Sequence, residues 1–302
     1  MPNREIIKKE LPRTQRNVSL SKYTTFRIGG PAEYFSVVKT ENDLIKTIKT
    51  AKKIRLPFFV LGGGSNLLVS DKGFRGIVIN LQFSILNFRK SKIITGAGTS
   101  LGKLVNTSAK KGLSGLEWAA GIPGTIGGAI LGNAGAFGRS IAEAVEEVRV
   151  LDVRRKPRIK NYKLRSCKFE YRDSIFKGNP HLIILSAVLK LKKSKKLEIL
   201  RKMKGYLDYR RKNQPFNFPS AGSVFKNPSD KFDKSAGWLI EKAGLKGKRI
   251  NDAQISEKHA NFIVNLGKAK AKDVVKLINL IKSRVKNKFG IKMEEEISYL
   301  GF

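Results

Sequence analysis

Cysteine is almost absent from this chain: Cys167 is the only one. An intrachain disulfide is therefore excluded. Histidine is nearly as scarce, with His181 and His259 alone, so a Cys/His zinc cage is excluded too and no metal site is expected. The lone thiol lies in "RSCKFEYR", which reads as strand, and a packed thiol is expected there rather than a nucleophile. Acidic residues are also in deficit. Against 61 Lys and Arg stand 24 Asp and Glu, a formal net charge of +37. Long apolar runs are missing as well. The first residues, "MPNREIIKKELPRTQR", hold no apolar core of signal-peptide length, and the cytoplasm is the default location.

The 302 residues correspond to about two domains of ordinary size. Hydrophobic residues make up 41% of them, enough to build real cores. The positive charge raises the question of a nucleic-acid or acidic-membrane partner. It gathers at Arg154–Lys156, at "KKSKK" (Lys192–Lys196) and at Arg210–Lys212. Between Gly112 and Val148 the only base is Arg139. The reading favoured is a Lys-rich solvated surface around an enzyme, with no specific nucleic acid, no membrane insertion and a monomeric state expected. "KGFRGIVI" begins like an RNA-recognition strand, but Arg75 and Gly76 stand where that motif needs a small residue and an aromatic, so a turn and a buried strand are expected.

What the chain has is glycine in two concentrated places. In "GIPGTIGGAILGNAGAFG" (residues 121–138) seven residues are glycine, and Trp118–Phe137 carries no charge. A membrane helix is excluded because Pro123 and the glycines disfavour a helix and too few residues are large and apolar. A flexible linker is excluded because Ile126, Ile130, Leu131 and Phe137 are interleaved with the glycines. The remaining reading is buried backbone that approaches a ligand closely, with bare N–H groups suited to phosphate oxygens. The second place is Gly62-Gly63-Gly64-Ser65-Asn66, directly after the apolar run Phe58–Leu61. It is neither a Walker loop nor a dinucleotide fingerprint. Two such loops suggest one large ligand with a diphosphate.

Periodicity gives the scaffold. Thr40-x-x-Asp43 is a capping box before a helix bearing Leu44, Ile45, Ile48 and Ala51. Strands are expected at Phe58–Leu61, Ile77–Leu81, Ser91–Gly98, Val145–Val153 and His181–Leu191. Ser100 caps a helix that stops at Gly112. The basic stretch Lys192–Lys212 reads as an exposed helix joining two domains. A second αβ unit follows: a helix over Ser235–Ala243, the strand "NFIVNLG", an amphipathic helix ending at Gly290, and a last strand in "IKMEEEISYLG".

Three groups have chemical potential. Ser223 in "PSAGSVFKNP" follows a glycine, although a simple turn serine is the commoner use of that pattern. Arg172 beside Tyr171 in "FEYRDSIF" suits a bidentate carboxylate contact, or else a surface pair with Glu170 or Asp173. Glu294-Glu295-Glu296 opens the last strand, where alternation sends Glu295 to the opposite face from its neighbours. One face is then either functional or a charged edge.

The segments "YTTFRIGGPAEYF", "LGGGSNLLVSDKGFRGIVI", "GLEWAAGIPGTIGGAILGNAGAFG", "YRDSIF", "PSAGSVFKNP", "AGWLIEKAGLKG", "HANFIVN" and "MEEEISYLG" occur in one order over nearly the whole chain. Together they resemble the flavin-dependent UDP-N-acetylenolpyruvoylglucosamine reductases of bacterial peptidoglycan synthesis. The resemblance implies an α+β protein. Its FAD-binding domain, of the vanillyl-alcohol-oxidase (PCMH) type, would cover residues 1–192 as two α/β subdomains divided near residue 82. A basic helical connector would cover 193–212, and a C-terminal α/β substrate-binding domain 213–302, whose last strand (about 291–302) is a candidate to return to the first domain. It implies non-covalent FAD held by Gly62, Gly63, Gly64, Ser65 and Asn66, and by Gly121, Ile122, Pro123, Gly124, Thr125, Gly127, Gly128, Asn133 and Gly135. NADPH would be the reductant. The family's proton-donating serine falls on Ser223, its carboxylate-orienting arginine on Arg172 and its catalytic glutamate on Glu296. Tyr171, Lys226, Asn227 and His259 match positions near the UDP-linked amino sugar.

Three departures from the family pattern stand out. A glutamate replaces the proline of the usual Leu-Glu-Pro-Glu-Val ending, so Glu294 and Glu296 compete for one role, and counting back from Gly301 selects Glu296. The interval from Arg172 to Ser223 is too short for the tyrosine-bearing loop of the longer subclass, which places the chain in the compact one. Asn213 stands where a lysine is usual. The alternatives are another FAD oxidoreductase on the same scaffold and a polyanion-binding protein, which would bind no flavin and bind in a salt-dependent way.

Overall fold

The computed structural model describes residues 3–228 and 233–302, and the chain divides into two compact units. The first comprises the N-terminal residues to Arg16, Tyr34–Gly63 and Gly76–Asp208. The second comprises Asn17–Glu33, Gly64–Arg75 and Tyr209–Phe302. Two N-terminal segments thus pack with the C-terminal stretch, and each unit has its own apolar core.

In the first unit, a five-stranded antiparallel sheet runs in the order Arg158–Lys163, Val145–Asp152, Leu182–Lys190, Lys92–Gly96, Leu86–Arg89. Its two central strands are rich in Val, Ile and Leu, and both faces of Leu182–Leu189 are largely buried, as a covered strand requires. Phe58–Leu61 pairs in parallel with Phe74–Leu81, Phe58 opposite Ile77. Helix α1 (Asn3–Glu10) packs by Ile7. Helix α2 (Glu41–Lys53) starts where Thr40 Oγ1 accepts from the Asp43 N–H at 3.1 Å, and Leu44, Ile48 and Ala51 carry its buried face. Helix α3 (Leu101–Lys110) starts under Ser100 in the same way. Helix α4 is short, Ile126–Leu131, capped by Thr125. No helix among the described residues is long and apolar enough to span a bilayer.

Two local expectations fail in this unit. The segment around Cys167 is a helical turn, Leu164–Cys167, rather than a strand. The thiol is nonetheless packed, and burial pushes it up to about 11. Helix α5 spans Lys196–Asn213, beginning later than Lys192. Lys192 and Lys193 instead pair with Ser114 and Leu113 as strand, and this backbone pairing overrides lysine's helix preference.

The second unit holds a four-stranded antiparallel sheet in the order Ser220–Ser223, Phe262–Asn265, Ala253–Ile255, Arg249–Ile250. Helices α6 (Ala236–Lys242) and α7 (Ala271–Phe289) bury Leu239, Ile240, Val274, Leu277, Ile281 and Val285. The Asp71 carboxylate accepts from the Ala271 and Lys272 N–H groups at 2.8 and 3.1 Å, placing a negative charge on the positive end of α7. Thr25 donates to the Ser220 carbonyl at 2.7 Å and Asn265 to that of Phe26 at 3.1 Å, which binds residues 17–33 to this sheet. The last strand is only Ser298–Leu300, parallel to Leu67–Val69.

Candidate active site

The two glycine loops meet inside the first unit. A Cβ on Gly62 would lie 2.7 Å from Thr125 Oγ1, and one on Gly63 would lie 2.8 Å from Gly124 Cα. Neither position has room for a side chain. The approach is fixed from the other side as well. The Ile126 N–H donates to Thr99 O at 2.9 Å and the Gly127 N–H to Ala97 O at 2.8 Å, while Thr125 Oγ1 accepts from the Gly128 N–H at 3.4 Å. Ile126, Ala129 and Ile130 anchor the segment in the core. Gly63, Gly121, Pro123 and Gly128 remain exposed. The result is uncharged, unshielded backbone from two loops side by side.

The same segment positions Arg172. The Glu170 and Asp173 backbones bond reciprocally at 3.1 and 3.2 Å, so Tyr171 and Arg172 form the tip of a tight turn rather than a strand end. Arg172 sits at φ 56°, in the left-handed region that L-residues other than Asn, Asp and Gly seldom adopt. Its Nη1 donates to Gly135 O at 2.8 Å, and its guanidinium lies 5.5 Å from the Tyr171 ring. Asn133 holds this turn: its Nδ2 donates to Glu170 O at 2.8 Å and its Oδ1 accepts from the Ala142 N–H at 3.3 Å. The Asp173 carboxylate accepts from the Ser174 N–H at 2.8 Å.

In the second unit, the segment after Ser223 runs against the triple glutamate. The Glu296 N–H donates to Val224 O at 2.8 Å, the Lys226 N–H to Glu294 O at 2.9 Å, and Phe225 bridges Glu295 between them. Ser223 and Glu296 are thereby placed at one end of a short antiparallel pairing. Asn66 Nδ2 donates to the Glu296 carbonyl at 2.9 Å, and the Ser298 N–H donates to Asn66 O at 2.9 Å. Gly64, at φ 59°, turns the chain just before it, and a Cβ there would lie 2.1 Å from Tyr23 O. Lys226 Nζ pairs with Glu294 Oε1 at 2.5 Å; the lysine side chain is 18% exposed and the glutamate 71%. Glu295 takes the Tyr299 hydroxyl and pairs with Lys282. Asn227 Oδ1 accepts from the Ala236 N–H at 3.0 Å, at the start of α6.

His259 is half-buried, packed edge-on to Phe262 at 4.9 Å. Burial, reinforced by the Lys246 charge, holds its imidazole below the ordinary value. Its Nδ1 accepts from the Asn261 N–H at 3.2 Å, which assigns the proton of the neutral ring to Nε2.

Comparison with known proteins finds two family matches along the chain. Residues 32–155 match the family described as FAD binding domain, and residues 214–300 match that described as UDP-N-acetylenolpyruvoylglucosamine reductase, C-terminal domain. UDP-N-acetylenolpyruvoylglucosamine reductase 1 of Bacillus cereus is 43% identical over 98% of this chain and 98% of its own length. The chain belongs to the UDP-N-acetylenolpyruvoylglucosamine reductase family. The reductase of Caldanaerobacter subterraneus subsp. tengcongensis is likewise 43% identical, over 94% of this chain and 93% of its own. The crystal structure of UDP-N-acetylenolpyruvylglucosamine reductase from Thermus caldophilus superposes with a TM-score of 0.81 at 40% identity, covering 96% of this chain and 99% of that one. The α+β fold is that of an FAD-binding oxidoreductase with the reductase family's C-terminal domain.

The flavin of this reductase family fits the loops on geometric grounds. Bare backbone at Gly62–Gly63 and Gly124–Gly128 suits a diphosphate, and the uncharged segment offers Leu131 and Phe137, both partly exposed, to an apolar ring system. Sequence reasoning missed one positioning residue. The buried Asn261 donates by Nδ2 to Phe225 O at 2.8 Å and accepts by Oδ1 from the Phe225 N–H at 2.9 Å, fixing the backbone between Ser223 and Lys226. Its signal was a polar residue opening the otherwise apolar run "NFIVN".

Proposed function

We propose that this chain reduces the enolpyruvyl group of UDP-N-acetylglucosamine enolpyruvate to the lactyl ether of UDP-N-acetylmuramate, working in the cytoplasm, and that Arg172, Ser223 and Glu296 carry the substrate chemistry. FAD, which the backbone at Gly62–Gly63 and Gly124–Gly128 would hold and NADPH would reduce, would supply hydride to the enolpyruvyl carbon distal to the sugar ether. The electron pair displaced from the double bond moves onto the carbon next to the carboxylate. Arg172 offers a fixed bidentate cation to that carboxylate and stabilises the charge as it develops. Glu296, protonated, shares this enolate-like charge by hydrogen bonding. The Ser223 Oγ proton then goes to the carbon bearing the ether oxygen, completing the addition of hydride and proton. Lys226, Asn227, His259 and Tyr171 are assigned to the nucleotide sugar, and the first unit's paired loops to the flavin. The assigned segmentation keeps the flavin with residues 1–192 and the sugar nucleotide with 213–302, linked through the basic helix.

The observation that carries the assignment is the Glu296-to-Val224 backbone bond at 2.8 Å, which sets the proposed acid and glutamate beside each other in one unit. Stopped-flow absorbance on Ser223→Ala tests it. Flavin reduction by NADPH should proceed at the parent rate, and reoxidation by the enolpyruvyl sugar should slow by about 10²–10⁴-fold, the usual contribution of a general acid. A variant that NADPH cannot reduce, or one that reoxidises normally, removes Ser223 from the proton-donor role.

A further inference from the structure

The catalytic reading leaves the charge of +37 unexplained, and the largest basic run, Lys192–Lys196, lies on the first unit in a defined setting. The strand pairing of Lys192 with Ser114 and Lys193 with Leu113, continued by the Ser194 N–H to Gly112 O bond at 3.0 Å, brings the run against the end of α3. Lys110 and Lys111 stand there, both exposed. From the other side, the Leu191 N–H donates to Ser91 O at 2.9 Å, bringing Lys90 alongside. Three separate stretches of chain thus deliver their lysines to one place. Glu198 is the acid in the first turn of α5, and Ser194 Oγ bonds it at 3.4 Å. Glu146 is taken by Lys92 and Lys190.

Helix α5 continues this patch with an unusual outer face. Ile199, Met203, Tyr206 and Leu207 point into the core. Leu197, Leu200, Arg201 and Lys204 follow the i, i+3, i+4, i+7 spacing of the opposite, solvent side. Leu197 is 73% exposed and Leu200 41%. A merely solvated face would not put leucines at its crest. A nucleic-acid face would offer open aromatic rings for stacking, whereas Phe88, beside these lysines, is half-buried and already covered by the Lys111 ammonium at 5.2 Å. Two apolar side chains ringed by lysines instead match the headgroup boundary of an anionic bilayer, where cations meet lipid phosphates and aliphatic tips enter the acyl region.

We propose that this face, Lys110–Lys111 with Lys192–Lys196 and the outer side of α5, docks the protein reversibly on membranes rich in anionic phospholipid. The partner is the lipid surface itself, chosen by charge complementarity with apolar insertion. Association requires no spanning helix and leaves the glycine loops and the triple glutamate outside the contact residues.

The test is co-sedimentation of the flavin-loaded full-length protein with vesicles of pure phosphatidylcholine or of phosphatidylcholine containing phosphatidylglycerol, across a salt series. Binding should appear only with phosphatidylglycerol and weaken as salt rises. Replacing Lys192, Lys193, Lys195 and Lys196 by glutamine should lower the partition coefficient by about fivefold per charge. The double variant Leu197→Ala with Leu200→Ala keeps the charge and should still lower it by roughly tenfold or more. Both variants change exposed side chains, and unchanged reductase turnover without vesicles is the fold control. Protein that stays in the supernatant with anionic vesicles at low salt overturns the proposal. So does leucine-independent binding accompanied by lysine-dependent capture of a single-stranded polynucleotide, which would make the face a nucleic-acid surface.

Discussion

Gly63→Ala is the sharpest test of the flavin cradle, because the substitution adds one methyl group and little else. Gly63 is not in the left-handed region, so alanine brings no backbone strain. Its Cβ would lie 2.8 Å from Gly124 Cα, 3.2 Å from Gly124 C and 3.4 Å from Thr125 N. All three are backbone atoms, and none swings aside as a flexible side-chain tip does. The Gly124–Thr125 backbone is held in turn by the Leu101 N–H to Gly124 O bond at 3.0 Å and the Ile126 N–H to Thr99 O bond at 2.9 Å. Relief therefore means moving two loops apart by about half an ångström or stretching those bonds, an overpacking cost of about 1–3 kcal/mol. For a domain of this size that is a fall in Tm of about 2–10 °C. The same separation spreads the backbone groups assigned to the diphosphate, so FAD affinity should drop by about 10–100-fold. Flavin absorbance per protein after desalting, and titration of apoprotein with FAD, read this directly. Gly178→Ala is the control, since nothing lies within 4 Å of a Cβ there and it should be neutral. If Gly63→Ala retains flavin as the parent does, the close approach of the loops is not what holds the cofactor.

Two further changes probe the supports of the site. Asn133→Ala removes the side-chain bond to Glu170 O in the Glu170–Asp173 turn and the one from the Ala142 N–H, and leaves alanine at φ 41°; about 2–3 kcal/mol of stability should go. KM for the enolpyruvyl sugar should rise as Arg172 loses its seat, and an unchanged KM would show that the turn holds itself. The pH dependence of stability should carry the mark of His259. Its proton is disfavoured in the folded state, so the unfolded chain binds more protons and stability rises with pH. The contribution is complete above about 6.5, the ordinary imidazole value, and is lost as pH falls below it. Tm measured from pH 8 to pH 5 should fall less steeply for His259→Gln; parallel curves would mean that the ring is free to charge in the fold.

Much of this was legible in the sequence for local reasons. Thr40, Ser100 and Ser235 cap helices because their hydroxyls reach the third N–H ahead, a contact written in adjacent residues. The apolar runs at residues 77–81 and 182–189 form strands because their faces are largely buried, and 58–61, half-buried, pairs in parallel with 77–80. What stayed hidden depended on distant partners. Residues 17–33 and 64–75 join the C-terminal unit through bonds such as Thr25 to Ser220 and Asp71 to Ala271, separations that no local pattern encodes. Arg172 read as part of a strand because "FEYR" has strand propensity, yet the Asn133 side chain and the reciprocal Glu170–Asp173 bonds make a turn of it. Tertiary contacts outweigh propensity worth a fraction of a kcal/mol per residue.

The triple glutamate shows how far alternation alone reaches. It separates Glu295 from its two neighbours, and the structure agrees, since Glu295 meets Tyr299 and Lys282. Alternation has no means of ranking Glu294 against Glu296. Their surroundings do. Glu294 is mostly exposed and already paired with Lys226. Glu296 is half-buried, and its backbone is gripped at both ends, its N–H by Val224 and its carbonyl by Asn66. A carboxyl group that must keep one position through a reaction needs a backbone that cannot drift. The residue directly after the family's proline position has that support because Asn66, at the end of the first glycine loop, supplies it. The loop's closing residue, assigned to the flavin by resemblance, is thus also a positioning residue for the glutamate's backbone, a connection that spans the length of the chain and is carried by a single amide side chain.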